Sequence, residues 1–193
     1  MPKSDTDRSG SDVAALILRL TVGPMMVVHG LNKVRGPGGL EGTTSYFDSL
    51  GLQPAHVHAR VAATTEIGTG ALLTLGVLTP LASAGVIGVM TAAAATDHKG
   101  KGFFIFKGGW EYVGVVGATA AAISALGPGR YSLDGARGRR GGGLKSALFS
   151  TALGVGSAVG MLVTSRRGAE TTDGGTTDGA TTDGEAADGA TTD

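Results

Sequence analysis

Five apolar runs dominate the chain, at residues 13–31, 55–78, 81–95, 110–126 and 144–163. A helix needs about 20 predominantly apolar residues to span a bilayer, and Pro, Gly and charge clusters punctuate these runs as loops would. The third run is short, but only Thr79 and Pro80 part it from the second, which is the spacing of a tight membrane hairpin. The fifth is rich in Gly, Ala and Ser, with Lys145 inside one end and Arg166 and Arg167 closing the other, and hydropathy admits it as a further span. Backbone groups in hydrocarbon must be satisfied within their own segment, so the spans are expected to be helices; the period-2 alternation of barrel strands is not seen. The expected fold is all-α: a polytopic membrane four-helix bundle, an added fifth C-terminal transmembrane helix, and a disordered tail. A signal peptide fits the first run poorly, because Arg19 interrupts its apolar core, no A-x-A-like cleavage site follows promptly, and more spans come after it.

Charge divides the chain further. Before position 170 there are 16 basic and 9 acidic residues; from Glu170 on there are seven acids and no base, so the net zero joins a +7 body to a −7 tail. The basic residues sit between apolar segments rather than along a polar face, which argues against nucleic acid as a partner. The tail is a degenerate Thr-Thr-Asp-Gly repeat without aromatics and is expected to be disordered. The domain order is thus a disordered N-terminus at 1–11, a four-helix membrane region at 12–135, a basic Gly-rich linker at 136–143, a fifth helix at 144–164 and the acidic tail at 165–193.

If the spans alternate, the N-terminus and the 127–143 loop share one face, and the 32–54 and 96–109 loops share the other. Arg130, Arg137, Arg139, Arg140 and Lys145 load the first face; Lys33, Arg35, Lys99, Lys101 and Lys107 load the second. The density of the 130–145 cluster favours the cytoplasm for the 127–143 loop, with the chain multi-pass in the cell membrane. Small residues recur every four positions at Ala84, Gly88 and Ala92 and again at Ala152, Gly156 and Gly160, faces that suit close helix packing, within the chain or in a homo-oligomer.

Polar residues inside or beside the runs are the candidate site. Arg19 is about ten residues from the His29 end of the first run and Glu66 about eleven from the Ala55 start of the second, so both are expected about 15 Å from one face. Charge at that depth is costly, so the two are expected to pair, either as a proton or ligand site or as an ion pair fixing helix register. His29 and Lys33 are four apart on one helix face, and Glu111 opens the fourth run, where the helix dipole favours an acid. Trp110 and Tyr112 read as interfacial anchors and Lys33 as a snorkelling side chain. A His29–Glu111 pair could carry protons or hold a quinone-type carbonyl.

No cysteine is present, which excludes disulfides, thiol redox chemistry and thiolate metal sites. The four histidines, at 29, 56, 58 and 98, are too scattered for a metal site, and His56 and His58 read as a solvated helix start. Haem motifs, nucleotide loops and HExxH are absent. No cofactor motif of the chain's own is evident.

Taken in order, "LILRL", "VVHGLNK", "GGLEGTTSYFDSLGL", "TTEIGTGALLTLGVLTPLA", "GFFIFKGGWEY" and "LGPGRYSLD" resemble the DoxX family of small bacterial integral membrane proteins over about residues 12–135. The resemblance implies a four-helix membrane bundle and a quinone-linked redox role as a subunit of an oxidoreductase complex, with redox proteins as partners. Arg19, His29, Lys33, Glu66, Glu111 and Tyr112 match the family's recurrent polar positions, and residues 136–193 fall outside it. A non-catalytic membrane scaffold and a small-solute transporter are the alternatives: the first requires the polar residues to satisfy one another without a cavity, the second an Arg19–Glu66 pair lining a water path. A quinone subunit requires a quinone-sized cavity near His29 and Glu111.

Overall fold

The computed structural model describes residues 5–139 and 141–173, with side-chain environments for 9–139 and 141–165. Among the described residues there are seven α-helices and no strand. They are α1 (Asp5–Arg35), α2 (Gly39–Ser49), α3 (Ala55–Leu75), α4 (Thr79–Ala95), α5 (Glu111–Leu126), α6 (Leu133–Ala136) and α7 (Leu144–Asp173). The apolar runs therefore become α1, α3, α4, α5 and α7. α1 begins inside the stretch expected to be disordered, and α7 continues past 164 into the expected tail; the rest of that tail, from 174, lies outside the described residues.

Two helical stretches are long and apolar enough to cross a membrane, Ser9–Arg35 in α1 and Leu144–Ser165 in α7. α4 and α5 are apolar but shorter, at 17 and 16 residues. α3 has the length, 21 residues, but carries His56, His58, Arg60 and Glu66.

α1 packs antiparallel along α3, α3 on α4, and α4 on both α5 and α7. Glycines set the closest approach. A Cβ on Gly70 would lie 2.6 Å from the Gly23 carbonyl oxygen, and one on Gly30 would lie 2.8 Å from that of Ala63. Missing side chains thus let the α1 and α3 backbones touch, and they fix the register of the pair. Val22, Met26, Leu73, Val86, Val113, Val116 and Ile123 fill the core between α1, α3, α4 and α5.

Of the two small-residue stripes, Ala84 and Gly88 are buried on the α4 face that meets α7, where a Cβ on Gly88 would lie 3.3 Å from the Gly154 carbonyl oxygen. The stripe at Ala152, Gly156 and Gly160 faces outward and packs on no other helix among the described residues; nothing lies within 4 Å of a Cβ added at Gly156 or Gly160. α7 instead turns Ser150, Gly154, Ala158 and Ser165 inward. Hydrogen bonds select that rotation: Ser150 Oγ donates to Ser124 Oγ at 2.5 Å, Ser124 Oγ to the Ser146 carbonyl at 3.0 Å, and the Gln53 amide to Ser165 Oγ at 2.8 Å.

The two ends of the bundle contain the loops expected to share them. At one end the Arg130 amide donates to Asp12 Oδ1 at 2.9 Å, joining the 127–132 turn to α1. At the other, Tyr46 of α2 and Asp97 after α4 line the same cavity.

Candidate functional site

α2 builds one wall of the site, and its sequence lies in what reads as a loop. Gly38 and Gly39 both adopt positive φ, 76° and 54°, which turns the chain sharply off the end of α1. Thr43 Oγ1 then donates to the Lys33 carbonyl at 2.9 Å, holding α2 against that end. Tyr46 and Phe47 of this helix and Leu50 just after it face a cavity of about 370 Å³, completed by α3, α4 and α7. Its walls are mostly apolar, with Val61, Val89, Ala93 and Met161 among them; Lys33 and Glu66 place charge on one wall, and Tyr46, His58 and Asp97 add polar groups.

Lys33 Nζ donates to both carboxylate oxygens of Glu66, at 2.8 and 2.7 Å. The Glu66 side chain is 4% exposed and that of Lys33 22%. An ammonium has three protons, so one remains for the cavity or for solvent.

The expected Arg19–Glu66 pair does not form. Arg19 Nη1 donates to the carbonyls of Leu73 and Thr74 at 3.3 and 3.2 Å, and Nη2 to that of Tyr131 at 2.6 Å. The reason is register: His29 and Ala55 do not lie level, because α1 continues to Arg35 and Gly30 lies beside Ala63 and Glu66. Arg19 is eleven residues before Gly30, about 16 Å along the helix, and so reaches the far end of α3. There it bonds the last carbonyls of the helix, with the positive charge where the α3 dipole favours it. Asp134 finishes that end, accepting from the Leu78 amide at 2.8 Å while its own amide donates to Gly76 O at 3.2 Å.

His29 and Glu111 do not make the expected pair either. His29 is exposed; its Nδ1 donates to the Met25 carbonyl at 2.9 Å, and its ring stacks on Tyr112 with centroids 6.1 Å apart. The Tyr112 hydroxyl donates to Met25 Sδ at 3.1 Å. Glu111 Oε2 accepts from the Ile105 amide at 3.1 Å, closing its own loop. None of Arg19, His29, Glu111 and Tyr112 lines the cavity, which lies at Lys33 and Glu66 rather than at His29 and Glu111. Sharing one end of the bundle says nothing about which side of a helix a residue occupies. Tyr46 and Met161 carry no sequence signal as site residues; the spacing of Leu40, Phe47 and Leu50 between the Gly38-Gly39 turn and Pro54 is the available signal for α2.

Tyr46 and Asp97 line one cavity wall and shift each other's titration, an electrostatic latch between α2 and the end of α4. Burial, then the hydrogen bond and charge of Asp97, push the Tyr46 hydroxyl up to about 12. Burial alone would raise the Asp97 carboxyl, but the Tyr46 hydrogen bond and Lys101 together hold it below its ordinary value. The raised tyrosine contributes stability below its unfolded pKa and loses it as pH rises through the folded one. The lowered aspartate contributes above its unfolded pKa and loses it as pH falls. The latch should therefore hold from about pH 4 to about pH 10. Limited proteolysis within 36–54 is expected to be flat across that window and to accelerate above it, and Tyr46→Phe should abolish the alkaline step.

Among the described residues no group of His, Asp and Glu is arranged to hold a metal ion. The DoxX family model matches residues 14–99, which run from α1 through α4 and contain Arg19, His29, Lys33 and Glu66. α5, α6 and α7 lie beyond the match. No curated protein and no solved structure gives a significant match to the chain.

Proposed function

From the match of residues 14–99 to the DoxX family model we propose that the chain is an integral membrane subunit of a redox-associated, quinone-linked complex, with the quinone held in the cavity beside Lys33 and Glu66. The observation that carries this reading is the cavity itself: largely apolar walls, with a hydrogen-bonded Lys–Glu pair on one of them. Its 370 Å³ falls in the range of small-molecule sites, about 300–1,000 Å³, which are mostly apolar with a few placed polar groups. The residues present fit a quinone headgroup. Lys33 offers a hydrogen bond to a carbonyl oxygen, Glu66 orients that ammonium, and Val61, Val89 and Met161 exclude water from the ring. A bound quinone supplies two-electron carrier chemistry; with no cysteine in the chain, the electrons come from a partner subunit.

The membrane reading takes α1, α3, α4, α5 and α7 as spans of the cell membrane, with the arginine-rich 127–143 loop in the cytoplasm. It is supported by Ile17, Val28, Val57, Val115, Leu148 and Val159, exposed on α1, α3, α5 and α7, a surface that a water-soluble monomer rarely carries. The transporter alternative loses its support, because Arg19 and Glu66 do not meet. The scaffold alternative retains one observation: Arg19 and Asp134 are engaged by backbone groups at an end away from the cavity.

Purification from native membranes in mild detergent, with co-purifying proteins and quinone identified by mass spectrometry, tests the proposal; absence of both would overturn it. Ala62 lines the cavity, and Ala62→Phe should place a ring there. Bound quinone per protein is expected to fall about 10-fold, a loss of roughly 1.4 kcal/mol, while the helical circular dichroism signal is retained.

A further inference from the structure

We infer that the α4–α5 connection is an aromatic knuckle that seats in the headgroup layer of a phospholipid bilayer and completes a span that α4 and α5 are too short to make alone. At 1.5 Å per residue the 17-residue α4 is about 25 Å long and the 16-residue α5 about 24 Å, against a hydrocarbon core of about 30 Å. The connection supplies apolar surface where the helices stop. Phe103, Phe104, Ile105, Phe106 and Trp110 are 46% to 77% exposed.

The exposure is built in rather than a result of a loose loop. The Trp110 amide donates to Gly102 O at 3.1 Å and the Glu111 amide to Phe103 O at 2.9 Å, closing the base of the knuckle. His98 Nδ1 donates to Gly108 O at 2.6 Å, and Glu111 Oε2 accepts from the Ile105 amide within it. A side chain at Gly109 would overlap the Phe103 carbonyl, so the tight crossing requires glycine. The rings pack on one another, Phe103 edge-on to Trp110 with centroids 5.0 Å apart and Phe104 stacked on Phe106 at 5.3 Å.

Lysines are interleaved with these rings. Lys101 pairs with Asp97 at 3.1 Å, while Lys107 lies over the Phe106 ring at 5.9 Å and Lys99 is exposed beside the knuckle. The Lys99 and Lys107 ammonium groups are thereby placed to meet lipid phosphates, with the rings at the depth of the glycerol and upper acyl chains, as in an interfacial aromatic belt. Anchoring of this kind offsets hydrophobic mismatch in a short hairpin. The inference rests on the membrane reading above but not on the quinone.

Trp110 is the sole tryptophan, so its fluorescence reports the knuckle directly. The full chain is reconstituted in phosphatidylcholine vesicles whose acyl chains carry bromine at defined depths, and integration is checked separately by resistance to alkaline carbonate extraction. Expected are a blue-shifted emission, quenching strongest from bromines nearest the carbonyls, and a several-fold loss of quenching by aqueous acrylamide. Phe104→Ser combined with Phe106→Ser should integrate normally in thin dimyristoleoyl bilayers and lose integration several-fold in thick dierucoyl bilayers. Integrated protein whose Trp110 ignores bromolipid and responds to acrylamide overturns the knuckle while leaving the membrane reading intact. Bromolipid quenching that disappears as the protein-to-lipid ratio rises overturns it in favour of contact with a second copy. Complete extraction by carbonate overturns both.

Discussion

Lys33→Met is expected to lower the stability of the detergent-solubilised protein by about 3–5 kcal/mol, the usual cost of leaving one member of a buried ion pair alone. Glu66 makes the effect large. Its side chain is 4% exposed, and both its oxygens are bonded to the Lys33 ammonium. Glu66→Gln should cost less, about 1–2 kcal/mol, because Lys33 is 22% exposed and its long stem lets the ammonium reach water. The double variant Lys33→Met, Glu66→Leu should recover most of the stability, since apolar replacement of a whole buried pair is often neutral or better. Thermal unfolding followed by circular dichroism, arranged as a double-mutant cycle, reads the coupling. Bound quinone should be lost in all three variants, including the stable double one. A double variant with full stability and undiminished quinone would separate the pair from the site.

Much of this fold is legible in hydropathy because each helix is specified locally. α1, α3, α4, α5 and α7 each contain an apolar run, and punctuation by Gly, Pro and charge ends them near the right places. α2 was hidden because it exposes most of its surface and has no buried residue, so no long apolar run marks it. Register was hidden for a different reason. The level of α1 against α3 is set where Gly23 meets Gly70 and Gly30 meets Ala63, contacts between backbones some 30 to 50 residues apart that run boundaries do not encode. Lys33 and Glu66 were both identifiable as candidates, but their partnership followed only from that register. The rotation of α7 was equally out of reach: small residues recur every four positions on more than one of its faces, and hydrogen bonds from Ser124 and Ser150 decide among them.

The second large effect is expected at Arg19. Arg19→Met should destabilise the bundle by about 3–5 kcal/mol, as three charge-assisted hydrogen bonds to the carbonyls of Leu73, Thr74 and Tyr131 are lost at a side chain that is 1% exposed. Arg19→Lys keeps the charge at the α3 C-terminus but cannot reproduce the planar fork that reaches α3 and the 131 carbonyl together, so about half the loss should remain. Gly76 shows how closely the site is fitted, for it adopts φ 66° and a Cβ there would overlap the guanidinium. The readout that separates structure from function is quinone bound per folded molecule. It should be unchanged in Arg19→Met protein recovered at low temperature, because Arg19 caps α3 and does not line the cavity. Membrane levels of the variant, by contrast, should fall steeply. Normal levels with lost quinone would return Arg19 to the functional site. An ionisable residue buried in a span ordinarily argues for function; here the arginine has the free ends of α3 and of the 127–132 turn to hold together, and that task alone accounts for its burial.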